Sequence, residues 1–301
     1  METATTTTEV LPPRSPWPLP RGRYVKLCGG NVTFVRDTGG PPELPVLLLL
    51  HGWTATADLN FSTAYSSLAR SWRVIALDHR GHGRGLRTDT RFTLEDCADD
   101  AIAVLDALGI REAVALGYSM GGPIALLAAR RHADRIIGLV LCATSSSFAL
   151  TRRESLLFQV LGGLSAACHV ARTQGVQRLA AALVTTRGGT RRVQDWIVDE
   201  ISRHDWLTVL EAGCAIGQFC ADPWLGDTRA PTAVVAMLHD RVVPTPRQLK
   251  LAQDIPGATL HTMRAGHSGC IAAPERFVAA LIDACRSVRA RLDSRPTLAA
   301  A

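Results

Sequence analysis

The 301-residue sequence is short of several features at once, and each shortage removes a class of protein. Its longest aliphatic run in a strand-like context, Val46 to Leu50, is far below the roughly 20 apolar residues that cross a bilayer. The eight cysteines (28, 97, 142, 168, 214, 220, 270 and 285) form no Cys-x-x-Cys pair. They read as buried reduced thiols, not as zinc ligands or a disulfide framework. The N-terminal METATTTTEVLPPRSPWPLPRG lacks a charged segment followed by an apolar one, so no secretory signal is expected and the chain reads as cytoplasmic. Lysine is almost absent: the net charge of +6 comes from 33 basic residues of which only Lys26 and Lys250 are not arginine. That imbalance resembles codon bias more than a binding face. With aromatics at 5% and no helix carrying a continuous basic stripe, no nucleic-acid partner is expected.

What is present is an ordinary globular composition, 47% hydrophobic and 20% charged, with enough chain to bury a large core. Residues 1–22 are Thr- and Pro-rich without periodicity and read as a flexible tail. Tyr24 to Val35 alternates around Gly29, Gly30 and Asn31, the pattern of a hairpin. Apolar runs at Val46–Leu50, Trp72–Leu77, Ala113–Leu116 and Ile136–Cys142 predict strands buried on both faces. One helix is predicted between the first two of these runs, one opens at the capping pair Thr93 and Asp96, and one covers Pro123–Arg130. From about 147 to 228 the pattern is helical throughout. Strands then return at Thr232–Leu238 and Ala258–Met263, before a closing helix at Pro274–Arg291. The expected organisation is a parallel α/β core over 23–146 and 229–301, interrupted by a helical lid at 147–228.

The most informative residues are Gly117-Tyr118-Ser119-Met120-Gly121, a G-x-S-x-G set between a strand and a helix. A turn this tight needs small residues on both sides and lifts the serine hydroxyl clear of the backbone. That hydroxyl is a weak nucleophile without a base, and the base needs an orienting carboxylate. Asp240 follows the strand VVAMLHD, and His267 stands in Ala265-Gly266-His267-Ser268 after the next strand. Loops beyond the carboxyl ends of parallel strands converge, so residues 119, 240 and 267 can meet. The backbone N–H groups of Met120 and of Trp53, in His51-Gly52-Trp53-Thr54, are candidate donors to an oxyanion.

These residues resemble the α/β-hydrolase superfamily, and in particular its lid-bearing esterase and lipase-like members. The resemblance runs from about 24 to 288 and is weakest over 147–228. Its motifs are HGWT (51–54), DHRGHGRG (78–85), GYSMGG (117–122), HDRVVP (239–244), and AGHSG followed by PERF at 274–277. It implies an α/β-hydrolase fold, a mostly parallel sheet flanked by helices, with a Ser119, Asp240, His267 triad, an oxyanion hole at Trp53 and Met120, and no cofactor. Glycine stands at 85 where members often carry serine, which should alter only the local turn.

Other readings are weaker. Asp78, His79 and His82 match no zinc spacing, the glycines at 81, 83 and 85 fail the dinucleotide fingerprint, and His51 reads as a hydrogen-bonded scaffold residue close to the oxyanion loop. Serine at 119, in place of aspartate or cysteine, argues against epoxide-hydrolase, dehalogenase and dienelactone chemistry. The expected substrate is a small-molecule carboxylic ester with an apolar acyl group, since 155–171 is nearly uncharged. A thioesterase, an acyltransferase, a carbon–carbon bond hydrolase or a cofactor-free haloperoxidase-like enzyme would share the triad, and a silent ligand-binding member of the fold is the rival from another class. The insertion is dipolar, +6 over 151–192 and −6 over 193–228. Its basic half invites peripheral contact with lipid surfaces, while solvation and pairing with the acidic half is the blander alternative.

Overall fold

A computed structural model of the chain describes residues 15–149, 151, 152, 154, 156, 158, 160 and 190–294. The apolar runs pair into one eight-stranded sheet: β1 (Gly22–Lys26), β2 (Val32–Asp37), β3 (Val46–Leu50), β4 (Arg73–Leu77), β5 (Ala113–Tyr118), β6 (Ile136–Cys142), β7 (Thr232–Met237) and β8 (Thr259–Met263). Their order across the sheet is β1-β2-β4-β3-β5-β6-β7-β8. The β1–β2 and β2–β4 pairs are antiparallel and all the others parallel. This is an α/β-hydrolase architecture, a mostly parallel sheet flanked by helices.

The central strands are apolar at every position because both faces are covered. Leu48 and Leu50 of β3 point into one layer with Ile75, Ala115, Leu139 and Val234, while Leu47 and Leu49 point into the other with Val74, Val114, Val140 and Val235. That split is the two-residue period of a strand. Short helices α1 (Ala57–Phe61) and α2 (Tyr65–Leu68) replace the single helix expected there, and Thr63 between them donates to the Cys270 carbonyl at 3.0 Å. Helix α3 (Leu94–Ala107) starts where Thr93 accepts from the Asp96 N–H at 3.0 Å, as the capping pair predicts. Helix α4 (Gly121–Arg131) begins two residues before the expected Pro123, which falls in the first turn, where a missing N–H costs nothing.

Within the insertion, α5 (Arg191–Ile201) and α6 (Trp206–Gln218) are helical as expected, followed by a 3₁₀ turn at Leu225–Asp227. The predicted element containing Leu156, Leu157, Val160, Leu161 and Leu164 lies mostly outside the described residues, as does most of the basic half proposed to meet lipid. Beyond the insertion come α7 (Thr245–Asp254), which was not expected from the sequence reading, α8 (Gly269–Ala272) and the closing α9 (Pro274–Asp293). No helix among the described residues is long and apolar enough to cross a membrane.

Two expectations differ from the structure, and one pairing was not anticipated. The last part of the segment read as a tail is packed: Trp17 lies edge-on to Trp196 at 5.7 Å, and the Pro20 carbonyl accepts from Arg36 at 2.7 Å. An indole gains too much from burial to remain in water when a cleft is offered. Cys28 and Cys220 are exposed, whereas Cys97, Cys142, Cys214, Cys270 and Cys285 are buried free thiols; Cys168 lies outside the described residues. Within the acidic half of the insertion, Glu200 pairs with the core, while the basic half expected to face it lies mostly outside the described residues.

That last pairing joins insertion to sheet. Arg84 reaches Asp58 and Glu200, each at 2.9 Å, and Asp78 at 3.3 Å, while Arg36 grips Asp58 with two nitrogens at 2.8 and 2.7 Å. All three carboxylates are buried. Burial would raise the Asp78 carboxyl, but Arg84 beside it and the N–H groups of Arg84 and Ala57 hold it below the usual range. Removing one partner of such a group strands charge in the interior. Arg84→Ala should therefore lower stability by about 3 to 5 kcal/mol, read from urea unfolding. A loss below about 1 kcal/mol, the size of an exposed pair, would show that the network is solvated.

Candidate active site

The site starts from a backbone constraint between β5 and α4. Ser119 has φ +53°, a left-handed conformation that costs a non-glycine residue about 1 to 3 kcal/mol and persists only where the surroundings impose it. Here they do. A Cβ on Gly117 would fall 2.1 Å from the Gly121 carbonyl oxygen, and one on Gly121 would fall 2.0 Å from that of Leu50. The Ser119 N–H donates to the Cys142 carbonyl at 2.9 Å, and the Ser119 carbonyl accepts from Gly122 N–H at 2.9 Å and from Thr144 Oγ1 at 2.8 Å. The two glycines of the motif are required because three chain segments meet where no side chain fits.

The loops after β7 and β8 bring in the other two residues. His267 Nε2 lies 3.0 Å from Ser119 Oγ, and His267 Nδ1 lies 2.8 Å from Asp240 Oδ2. A carboxylate only accepts, so Nδ1 carries the proton and Nε2 presents its lone pair to the hydroxyl. Asp240 is itself held: its Oδ1 accepts from the Val242 and Val243 N–H groups at 2.8 and 3.0 Å, and its Oδ2 accepts from Gln248 Nε2 at 3.0 Å. Gln248, fully buried on α7, also donates to the Val243 carbonyl at 2.7 Å and accepts the Met237 N–H at 2.9 Å. Sequence reasoning missed it because α7 was not read as a helix. The available signal was Pro246 in a first turn, followed by an apolar face (Leu251, Ala252) that continues back to a lone polar residue at 248. Tyr118 Oη donates to the His267 carbonyl and braces the histidine loop from below.

The loop after β3 faces the serine: a Cβ on Gly52 would sit 3.2 Å from Ser119 Cβ. His51, buried, accepts the His79 N–H at Nε2 (2.8 Å), so its Nδ1 bears the proton and donates to the Gly52 carbonyl at 2.8 Å. That carbonyl shares a peptide plane with the Trp53 N–H, so fixing one fixes the opposite direction of the other. The Trp53 and Met120 N–H groups donate to no protein acceptor among the described residues. Asn60 Oδ1 holds Gly52 N–H at 2.7 Å, Trp53 Nε1 donates to the Val209 carbonyl of α6 at 2.7 Å, and Thr54 is left-handed at φ +57°. The expected scaffold role of His51 is what the structure places there. The departure at position 85 is also local: a Cβ would lie 2.2 Å from the His79 carbonyl oxygen, so this turn closes tighter than a serine would allow.

Above Ser119 and His267 opens a cavity of about 430 Å³, walled by Trp53, Leu59, Ile197, Ile201, Val242 and Ile271. The insertion supplies Ile197 and Ile201. A hydroxyl, a base with its lone pair turned toward it, an orienting carboxylate and two unengaged amides beside an apolar pocket form an arrangement suited to acyl transfer.

Comparison with known proteins places the chain in a family. Residues 45–274 match the alpha/beta hydrolase fold family, and the chain belongs to it. It is 28% identical over 254 residues, 81% of this chain and 92% of the relative, to a protein of Caulobacter sp. (strain K31) provisionally named carbamate hydrolase RutD. Over 119 residues, 39% of this chain and 43% of the relative, it is 35% identical to the bifunctional esterase/perhydrolase DCH of Acinetobacter calcoaceticus. The crystal structure of a hydrolase from Pseudomonas aeruginosa PA01 superposes with a TM-score of 0.75 at 23% identity, covering 94% of this chain and 99% of that one, which shows a shared fold.

Beneath the loop after β3 lie four buried histidines. His51 stands 4.3 Å from His79 and 5.4 Å from His82 between ring centres, and His82 stands 5.3 Å from His204 of the insertion. Among the described residues no three His, Cys, Asp or Glu side chains are arranged to hold a metal ion. Burial holds His51 below the usual histidine range, drives His79 and His82 well below it, and takes His204 down to about 4. A buried neutral histidine stabilises the fold fully above its unfolded pKa of about 6.5, and that contribution is lost as pH falls through the folded value. The urea midpoint should therefore drop between pH 6.5 and 4, with roughly 3 kcal/mol coming from His204 alone. A midpoint that is flat over that interval would mean that these rings are hydrated.

Proposed function

We propose that this chain is a serine hydrolase that cleaves carboxylic esters through an acyl-enzyme, with Ser119, His267 and Asp240 as its triad and the Trp53 and Met120 amides as its oxyanion hole. The observation that carries the reading is the unbroken chain of contacts from Ser119 Oγ to His267 to Asp240, 3.0 and 2.8 Å, at a left-handed serine between strand and helix.

In this reading His267 Nε2 takes the Ser119 proton as Oγ attacks the ester carbonyl, and Asp240 stabilises the resulting imidazolium. Negative charge moves onto the former carbonyl oxygen, where the two amides donate to it. Because His51 already holds the Gly52-Trp53 peptide, one donor needs no reorganisation at that moment; such a donor is worth on the order of 10²–10³ in rate. His267 then returns the proton to the departing alcohol oxygen. Water, activated by the same imidazole, cleaves the acyl-serine and frees the acid. The chemistry needs no cofactor.

Supporting an ester in particular are the apolar walls over the serine and the esterase activity named for the Acinetobacter relative. The investment of Gln248 and two backbone amides in Asp240 supports an enzyme over a silent binding protein, since a ligand receptor has no use for an oriented base.

Ser119→Ala should reduce hydrolysis of 4-nitrophenyl butyrate by about 10³-fold or more, and abolish covalent labelling by a fluorophosphonate that otherwise maps to Ser119. Hydrolysis retained within about tenfold, or a label on another residue, would remove Ser119 from the reaction.

A further inference from the structure

The described lining of the cavity over Ser119 contains one permanently charged side chain, Arg241, and no carboxylate. Asp240 is its neighbour in sequence, but the Asp240 carboxylate is buried and turned inward, occupied by His267, Gln248 and two backbone amides. Arg241 itself is exposed at the rim with Val242 and His239. Its guanidinium makes no ion pair, hydrogen bond or ring contact among the described residues.

Several other arginines near the site are held by carboxylates. Arg36 in β2 and Arg80 and Arg84 in the loop after β4 are each matched to carboxylates at 2.7 to 3.3 Å. Even the more exposed Arg203 and Arg247 are paired, with Asp199 and Glu200 and with Glu154. At the mouth of an apolar pocket, a guanidinium with no internal partner offers a planar fork of donors that matches a carboxylate.

We infer that Arg241 selects esters or lactones carrying a free carboxylate a few carbon atoms from the scissile carbonyl, with the apolar walls taking the methylenes between them. This deepens the proposed ester hydrolysis and rests on it. The carboxylate stays in the rim, partly hydrated, while the reacting carbonyl reaches Ser119. Selectivity then comes from one charge-assisted contact, and the expected size is about tenfold because the rim is open to solvent and salt.

The test compares two substrates of similar length, the 4-nitrophenyl monoester of glutaric acid, which is anionic, and 4-nitrophenyl valerate, which is neutral. The quantity read is the ratio of their kcat/KM values, which does not depend on how much of a preparation is folded. Arg241→Gln should lower that ratio about tenfold and Arg241→Glu at least as far, with most of the change in KM for the glutarate ester. In the unaltered protein, raising NaCl to about 0.5 M should lower the ratio, and Arg241→Gln should remove that salt dependence. A ratio that changes less than threefold in Arg241→Gln overturns the inference. Ser119→Ala separates the two levels: loss of both activities leaves the hydrolytic reading intact whatever Arg241 does, whereas persistence of both overturns that reading itself.

Discussion

Everything at the site hangs on the absence of two side chains. The carbonyl end of β3, the end of β5 and the first turn of α4 approach so closely that a methyl group at Gly117 or Gly121 would overlap backbone oxygen. This contact forces Ser119 into a left-handed conformation and sets it beside the loop that begins at His51. The strand-to-helix turn and the loop after β3 are thus two views of one packing constraint. The sheet's parallel order then brings the loops after β7 and β8 to the same edge, where Asp240 and His267 need only short excursions to meet the serine.

A second layer of polar contacts gives the site its stiffness. Each of its movable parts is held by a buried group: Asp240 by Gln248, the Gly52-Trp53 peptide by His51, the peptide before it by Asn60, and the His267 loop by Tyr118. The insertion is fastened to the same region. Glu200 of α5 meets Arg84 and Thr56, Val209 of α6 accepts from the Trp53 indole, and Trp17 closes over Trp196. The roof of the pocket and the loop after β3 therefore share partners, so movement of one is felt by the other.

Much of this could be read from the sequence, and the physical reason differs by element. The central strands were legible because a strand covered on both faces must be apolar throughout, and its end is announced by a polar residue such as His51 or Asp78. Ser119 was legible because glycines are the local signature of close approach, and Asp240 and His267 because each follows a strand. Gln248, the Arg84–Glu200 contact and the packing of Trp17 were not. They join residues far apart in the chain, and no local pattern records a partner 116 residues away. The split of α1 from α2 and the exposure of Cys28 and Cys220 are likewise decided by tertiary neighbours, which override local preference.

The central claim is that Ser119 becomes transiently acylated. Its most direct test is rapid acid quenching during turnover of a 4-nitrophenyl ester, followed by mass analysis of the intact chain and its peptides. The account predicts a mass gain equal to the acyl group, confined to Ser119. An acyl group carried on any other side chain would contradict it.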